Sequence, residues 1–443
     1  MKDLLVMLPC VLFLAILFPW PATAATLRAD LTHVDSGRGF TKRELLTRMA
    51  ARSTARAASL GASARATTAP VARGTTGEED FSSEYLIHFS IGTPSPQAVA
   101  LTLDTGSNLI WTQCACGTGC FEQPFPVFDP SASGTLRTVS CTDPICSVQG
   151  GLPITAPCRL QKNQCRYGYV YGDQSFTIGT IIEDTFTFSG SAVPGLRFGC
   201  GTNNSGIFTS NESGIAGFGR GPLSLPSQLN VSVFSYCFTT IVEPGSSPVF
   251  LGKPENLGAN AQSTPFAPSP AGPQGTPSLY YISLHGITVG ATLLPFSVSA
   301  FAPKKDGSGG AIIDSGTSIT RFPQPVFQSL QEAFVSQVPL PVVNASDTSG
   351  LLCFSTAQGT DPKKVPVPKL VLHLEGADWD IPRENYVLDV EDDGTGAGLC
   401  VVILSAGDLG LTILGNFQQQ NMHIVYDLEA NKMVFAPASC DQM

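Results

Sequence analysis

The chain has 443 residues, more than one simple core usually holds, so two lobes or domains are expected. Its formal charge of −10 argues against nucleic acid as a partner, because phosphate binding needs clustered Lys and Arg. Glycine (44) and proline (34) are abundant, and short alternating runs such as YLIHFSIG, FTIGTIIEDTFTF and YYISLHGITVG recur between turn signals, which predicts mainly β structure.

In chain order, Lys2 precedes an apolar stretch from Leu4 to Phe18, and ATAA (22–25) offers a cleavage site after Ala24. This reads as a secretory signal peptide over 1–24 rather than an anchor, since the run is shorter than the ~20 residues a span needs. No later run is long enough to cross a bilayer, and ASCDQM at the C-terminus is neither a lipid-anchor nor a retention signal. Residues 25–77 hold nine Lys or Arg and three Asp or Glu, a charge of +6 (9 minus 3). From residue 78 onward there are 15 basic and 31 acidic residues, a charge of −16 (15 minus 31). Residues 25–77 therefore read as a basic prosegment for an acidic mature protein; a disordered leader without inhibitory role is the alternative.

Of 13 Cys, Cys10 falls in the signal peptide, which leaves 12. An even number in a secreted chain implies a disulfide framework of up to six bonds. The spacing in CACGTGC (114–120) is metal-like, yet no His lies between Cys114 and Cys200 and the compartment is oxidising, so no metal site is expected. Sequons at Asn203, Asn211, Asn230 and Asn344 fit a glycosylated surface. The clearest helical patterns are PLSLPSQL (222–229) and PQPVFQSLQEAFVSQV (323–338), and STPFAPSPAGPQGTPS (263–278) is the natural linker.

A repeat organises the rest. EYLIHFSIGTPSPQAVALTLDTGS (84–107) and LYYISLHGITVGATLLPF…GGAIIDSGTS (279–318) share an aromatic-rich strand, a Gly turn, a second strand and then an Asp turn. The expected continuation pairs RFGCG (197–201) with TILGN (412–416). One Asp before a Gly turn is usually an ordinary Asx-turn. Two in equivalent settings, on lobes related by a pseudo-twofold axis, would bring Asp104 and Asp314 together at the lobe interface. Carboxylates ~3 Å apart repel by about 5 kcal/mol at an effective dielectric of about 20, or about four pKa units. They then share a proton over an acidic range, so one acts as base on a water while the other donates toward a carbonyl. Gly106 and Gly316 allow close backbone approach, and Ser107 and Thr317 can orient the outer carboxylate oxygens.

LDTGSNLIW (103–111) and IIDSGTS (312–318), with VYGDQSFTIG (170–179), GIAGFGRGPLSLPSQL (214–229) and ILGNFQQQNMHIVYDL (413–428), resemble the pepsin-like aspartic proteases, plant nepenthesin-type group, across essentially 80–440. ADLTHVDS…FTKRELLTRMAARSTARAASL resembles the group's prosegment. The resemblance implies a bilobal β fold, with lobes over 78–265 and 266–443 and a cleft between them. It implies a secreted or vacuolar acid endopeptidase made as a zymogen, monomeric, acting on proteins or peptides without a cofactor. Asp104 and Asp314 are implied as the catalytic pair, and Thr105 and Ser315 as cross-links between their loops. Tyr171, Gly172 and Asp173 are implied in a flap over about 167–180, with Trp111 orienting Tyr171. Gln174 stands where the group has Gly. The same resemblance implies a cysteine-rich insertion (114–165) with nested pairs Cys141–Cys165 and Cys146–Cys158, a Cys353–Cys400 bridge and a Cys237–Cys440 tie. It leaves the pairing of Cys114, Cys116, Cys120 and Cys200 open. The rival reading is a catalytically inactive binding protein on the same fold, whose mark would be an altered Asp pair or flap Tyr.

Overall fold

In a computed structural model, the described residues are 26–64 and 85–443, apart from 117–118, 148–151, 153–157, 159–162, 172–174, 207, 209–210, 243–244, 255–256, 258–259, 271–278, 305–307, 344–348, 391–397 and 408–409. The fold is mainly β. A 14-stranded sheet runs through the molecule, joined by sheets of five, four and three strands among the described residues.

The two acidic turns sit in matching frameworks. Strand Gln97–Asp104 pairs in parallel with Gly214–Gly217. The latter pairs antiparallel with Trp111–Gln113, which runs parallel to Ser191–Ser205. In the second half, Ala311–Ile313 pairs in parallel with Thr412–Leu414. That strand pairs antiparallel with Thr320–Phe322, which runs parallel to Ile403–Ser405. Chain order and direction are the same, so the repeat in the sequence is a repeat of topology. One correspondence changes. The partner of TILGN is GIAGF (214–218), because each lies against its own Asp strand; RFGCG occupies the position of Ile403–Ser405 instead.

The long sheet also crosses between the halves. Val233–Cys237 pairs with Met422–Asp427, and Gln262–Pro265 pairs with Lys432–Pro437. Phe234, Tyr236, Phe238, Tyr280 and Tyr426 stack at its centre, all essentially solvent-free. Burial of such rings is the largest favourable contribution per side chain.

Residues 26–64 are built into this architecture. Leu27–His33 is inserted between Tyr85–Ile91 and Ser246–Leu251, antiparallel to both. A helix follows, α1 (Lys42–Ala64). It opens on a capping box: Thr41 N–H donates to Glu44 Oε2 at 2.7 Å and Glu44 N–H donates to Thr41 Oγ1 at 3.2 Å. Its Ala, Arg and Leu content favours helix. Leu46, Met49 and Ala50 pack with Ile319, Leu388, Val402 and Phe417, and Ala57 packs with Tyr281, Ile312 and Ile413. That spacing of three and four residues lays one face of α1 along the second half of the molecule. Asp35 is enclosed beside it, held by Arg48 Nε at 3.0 Å and Arg52 Nη2 at 2.7 Å. The two helical patterns of the sequence appear as the single turn α2 (Leu225–Gln228) and as α3 (Gln324–Gln337).

Six disulfides are formed among the described residues. Cys353–Cys400 and Cys237–Cys440 are as expected. Cys114–Cys200 joins neighbouring strand ends, and Cys116–Cys120 closes a short loop. The expected nested pairs are corrected: the bonds are Cys141–Cys158 and Cys146–Cys165. Cys165 points into a cluster with Ile145, Tyr167 and Ile181, where Cys146 reaches it. Cys141 and Cys158 stay on the outer side, both against the Gln164 carbonyl.

Candidate functional site

Asp104 ends its strand and Asp314 follows its own, so both carboxyl groups leave the sheet at the same level on the facing halves. Asp104 is 1% exposed and Asp314 is fully buried. Asp104 Oδ1 accepts from Gly106 N–H at 2.9 Å and its Oδ2 accepts from the Ser107 hydroxyl at 2.5 Å. Asp314 Oδ1 accepts from Gly316 N–H at 3.1 Å and its Oδ2 accepts from the Thr317 hydroxyl at 2.7 Å. The two sets are atom-for-atom equivalents.

The loops are tied crosswise. Thr105 N–H donates to Ser315 Oγ at 3.0 Å and Ser315 N–H donates to Thr105 Oγ1 at 2.9 Å. The Ser315 hydroxyl then donates to the Leu103 carbonyl at 2.9 Å. The two glycines are needed for the approach that results. A Cβ on Gly106 would lie 2.8 Å from Asp314 Oδ1, and one on Gly316 would overlap Asp104 Oδ1.

A residue that sequence reasoning missed completes the centre. Arg56 of α1 bridges both carboxylates, Nη2 donating to Asp104 Oδ1 at 2.6 Å and Nε donating to Asp314 Oδ2 at 3.1 Å. Burial disfavours the charged guanidinium, but Asp104 and Asp314 outweigh that and hold it protonated. Burial also raises the Asp104 carboxyl above the usual range; Arg56 opposes this and Asp314 adds to it. The available signal for Arg56 was its place in α1. It falls next to Ala57, one turn beyond Ser53, on the edge of the buried face.

Over the centre, Trp111 Nε1–H donates to the Tyr171 hydroxyl at 2.8 Å, as expected from the sequence. Phe121 and Phe208 meet the indole edge-on. Gly172, Asp173 and Gln174 lie outside the described residues. Tyr169, two residues before Tyr171 and on the same side of its strand, was not singled out by sequence. Its ring lies 4.6 Å from that of Tyr171. Burial, then the nearby Asp104 charge, push its hydroxyl up to about 12.

Asn203, Asn211 and Asn230 are exposed, and Asn344 lies outside the described residues. Among the described residues, no group of three His, Cys, Asp or Glu side chains could hold a metal ion, and no helix is long and apolar enough to cross a membrane.

Two family profiles match the chain: Xylanase inhibitor N-terminal over residues 85–253 and Xylanase inhibitor C-terminal over residues 279–437. Aspartic proteinase nepenthesin-1 of Nepenthes gracilis is 40% identical, across 93% of this chain and 89% of that protein. Nepenthesin-2 of the same plant is 38% identical across 94% and 90%. Aspartyl protease family protein 2 of Arabidopsis thaliana is 36% identical across 81% and 71%. Among solved structures, that of EDGP superposes with a TM-score of 0.67 at 21% identity, covering 82% of this chain and 93% of that one. Basic 7S globulin from soybean gives 0.61 at 21% identity, covering 81% and 94%. At such identity these two establish the fold alone.

Proposed function

The chain belongs to the pepsin-like aspartic protease family, in its plant nepenthesin-type group, and from that premise we propose that it is an acid endopeptidase made as a zymogen. The supporting observation is the pair of equivalent, buried carboxylates that meet on one guanidinium. With α1 gone, they face each other across the space that guanidinium fills. One proton shared by the pair leaves one carboxylate ionised. That carboxylate takes a proton from a water held between the two as its oxygen attacks the peptide carbonyl. The other carboxyl gives its proton to the carbonyl oxygen. Collapse of the tetrahedral species expels the amine, protonated by the residue that had acted as base. Ser107, Thr317 and the two glycine N–H groups hold the carboxylates in orientation throughout.

Latency is part of the proposal. Arg56 occupies the position of the attacking water, and Leu27–His33 is bound as a sheet strand, so 25–77 acts as an intramolecular inhibitor rather than a passive leader. Arg56 pairs with the two acids of the rest of the chain, and Arg48 and Arg52 close on Asp35 of the same segment. Secretion to the extracellular space, with the vacuole as alternative, follows from the apolar leader over 1–24, the sequons and the disulfides. The proposed lobes are 78–265 and 266–443, with proteins or peptides as substrates.

A second reading has one observation in its favour, that both matching profiles are described as halves of a xylanase inhibitor. A binding protein would tolerate loss of the acid pair or of Tyr171, and both are intact. The test is acid incubation of the full chain followed by a denatured globular protein, with and without pepstatin, beside Asp104→Asn. Pepstatin-sensitive cleavage that Asp104→Asn lowers by about 10² to 10⁴ is expected. No cleavage between about pH 2.5 and 6 would sink the enzyme and leave the binding protein.

A further inference from the structure

Arg321 lies seven residues beyond Asp314, in strand Thr320–Phe322. Its side chain runs under α1 and is buried, the residue being 5% exposed. Nη1 donates to the Ser405 carbonyl at 2.5 Å, and Nη2 donates to the Ala50 carbonyl at 3.5 Å and to the Thr54 hydroxyl. Nε–H is buried and makes no hydrogen bond among the described residues. No carboxylate among them pairs with this guanidinium, in contrast to Arg383, which Asp389 clamps with both oxygens. Burial without a counter-charge pushes the Arg321 guanidinium down to about 10.

A buried cation with neutral acceptors and an unused donor is costly, and such groups are ordinarily paired. Two of its three acceptors belong to α1, the segment that blocks the acid pair through Arg56. The neighbouring backbone is engaged in the same way, since Ile319 N–H donates to Ser53 Oγ at 2.6 Å. When α1 leaves, Nη2 loses both of its acceptors, Nε remains unused, and Nη1 keeps the Ser405 carbonyl. What remains is a fork of donors anchored at one end, the shape that binds a carboxylate with two bonds.

Resting on the protease reading above, we propose that Arg321 is a specificity residue that accepts the side-chain carboxylate of an Asp or Glu in the peptide substrate. Ala50 and Thr54 lie six and two residues before Arg56 on α1, about 3–9 Å along the helix axis at ~1.5 Å per residue. An extended peptide advances ~3.3 Å per residue, so the acidic side chain belongs about one to three residues from the cut bond. The Arg321 charge keeps that carboxylate ionised in the complex below its free pKa of about 4.3.

The test uses the acid-activated wild-type protein and a fluorogenic peptide series. Glu, Gln or Ala is placed in turn at the first three positions on each side of the cut bond, at pH 3 and pH 5. One position at which Glu exceeds Gln by roughly 10- to 100-fold in kcat/KM at pH 5 is expected, narrowing at pH 3. Arg321→Gln should bring the Glu-to-Gln ratio at that position near one, whatever its overall rate, and Arg321→Lys should retain part of the preference. A Glu-to-Gln ratio near one at every position in the wild type overturns the proposal, whatever the variants do. So does a ratio that survives in Arg321→Gln. Cleavage of the series without acidic preference leaves the protease reading standing, whereas no cleavage of any peptide by the wild type overturns both.

Discussion

Thr105 and Ser315 each accept the other's backbone N–H across the two halves, at 2.9 and 3.0 Å, and both are fully buried. The tie is unequal. The Ser315 hydroxyl goes on to the Leu103 carbonyl, while that of Thr105 interacts with Tyr426 in the central sheet. Either Ala variant strands a buried N–H, a loss of about 1–3 kcal/mol. Ser315→Ala should cost more than Thr105→Ala, because it also strands the Leu103 carbonyl. The double variant should cost less than the sum of the two. Denaturant midpoints of the three variants check this.

Arg56 controls latency in the proposed zymogen. Its charge favours ionised Asp104 against the effect of burial, so Arg56→Gln raises that carboxyl further and empties the space between the acids. The full-length Arg56→Gln chain should cleave a small peptide before residues 25–77 are removed, and at a higher pH than wild type. Arg56→Lys should remain latent, because an ammonium can still bridge the pair. Peptide hydrolysis, read against release of the segment on a gel, separates the two events. Wild-type-like latency in Arg56→Gln would rule the role out.

The disulfide assignment of the cysteine-rich insertion has a direct check. Non-reducing proteolysis with mass spectrometry should yield Cys141 linked to Cys158 and Cys146 linked to Cys165. The sequence separations are 17 and 19, so each closes a loop whose restriction stabilises by roughly 3 kcal/mol. Loss of the Cys146–Cys165 bond should cost more, because it also opens the cluster around Tyr167 and Ile181.

These cysteines mark the limit of what the sequence discloses. The acid turns were legible because each combines an apolar strand with Asp, a small hydroxyl residue and Gly, and because there are two. Trp111 and Tyr171 were legible through the motifs around them. The cysteine pairing was not, since the spacings among 141, 146, 158 and 165 permit more than one pairing, and only the side of the chain each thiol faces decides. The partner of TILGN was misassigned for a related reason. Apolar pairs beside Gly are common, and only parallel pairing with the Asp strand separates GIAGF from RFGCG. The helix Lys42–Ala64 inside the prosegment was not read because Ala-, Ser- and Arg-rich composition hides periodicity. The capping box at Thr41 and Glu44 was the readable sign of a helix, and the Leu46, Met49, Ala50, Ser53, Ala57 spacing gave its buried face.

His423 sets a stability cost at the pH where the proposed enzyme works. It lies in Met422–Asp427 of the central sheet, nearly solvent-free, with Nε2 2.9 Å from Ser235 Oγ and its ring beside Phe250. Burial pushes its pKa down from 6.5 to about 4. In the unfolded chain the imidazole takes a proton below about 6.5, and in the folded chain it does so only near 4. Between those values the unfolded state binds more protons, so this residue's contribution is intact above pH 6.5 and is lost as pH falls toward 4. The slope is at most about 1.4 kcal/mol per pH unit, one proton's worth. His423→Gln cannot titrate and can still hydrogen-bond Ser235. It should be slightly less stable than wild type at pH 7 through poorer packing on Phe250, then close that gap or overtake it by pH 4. Thermal midpoints of both proteins at pH 7, 5.5 and 4.2 give the difference directly, with carboxylate titrations common to both cancelling. A gap that stays constant across the three values would show that His423 titrates alike in the folded and unfolded chain, and would overturn this reading.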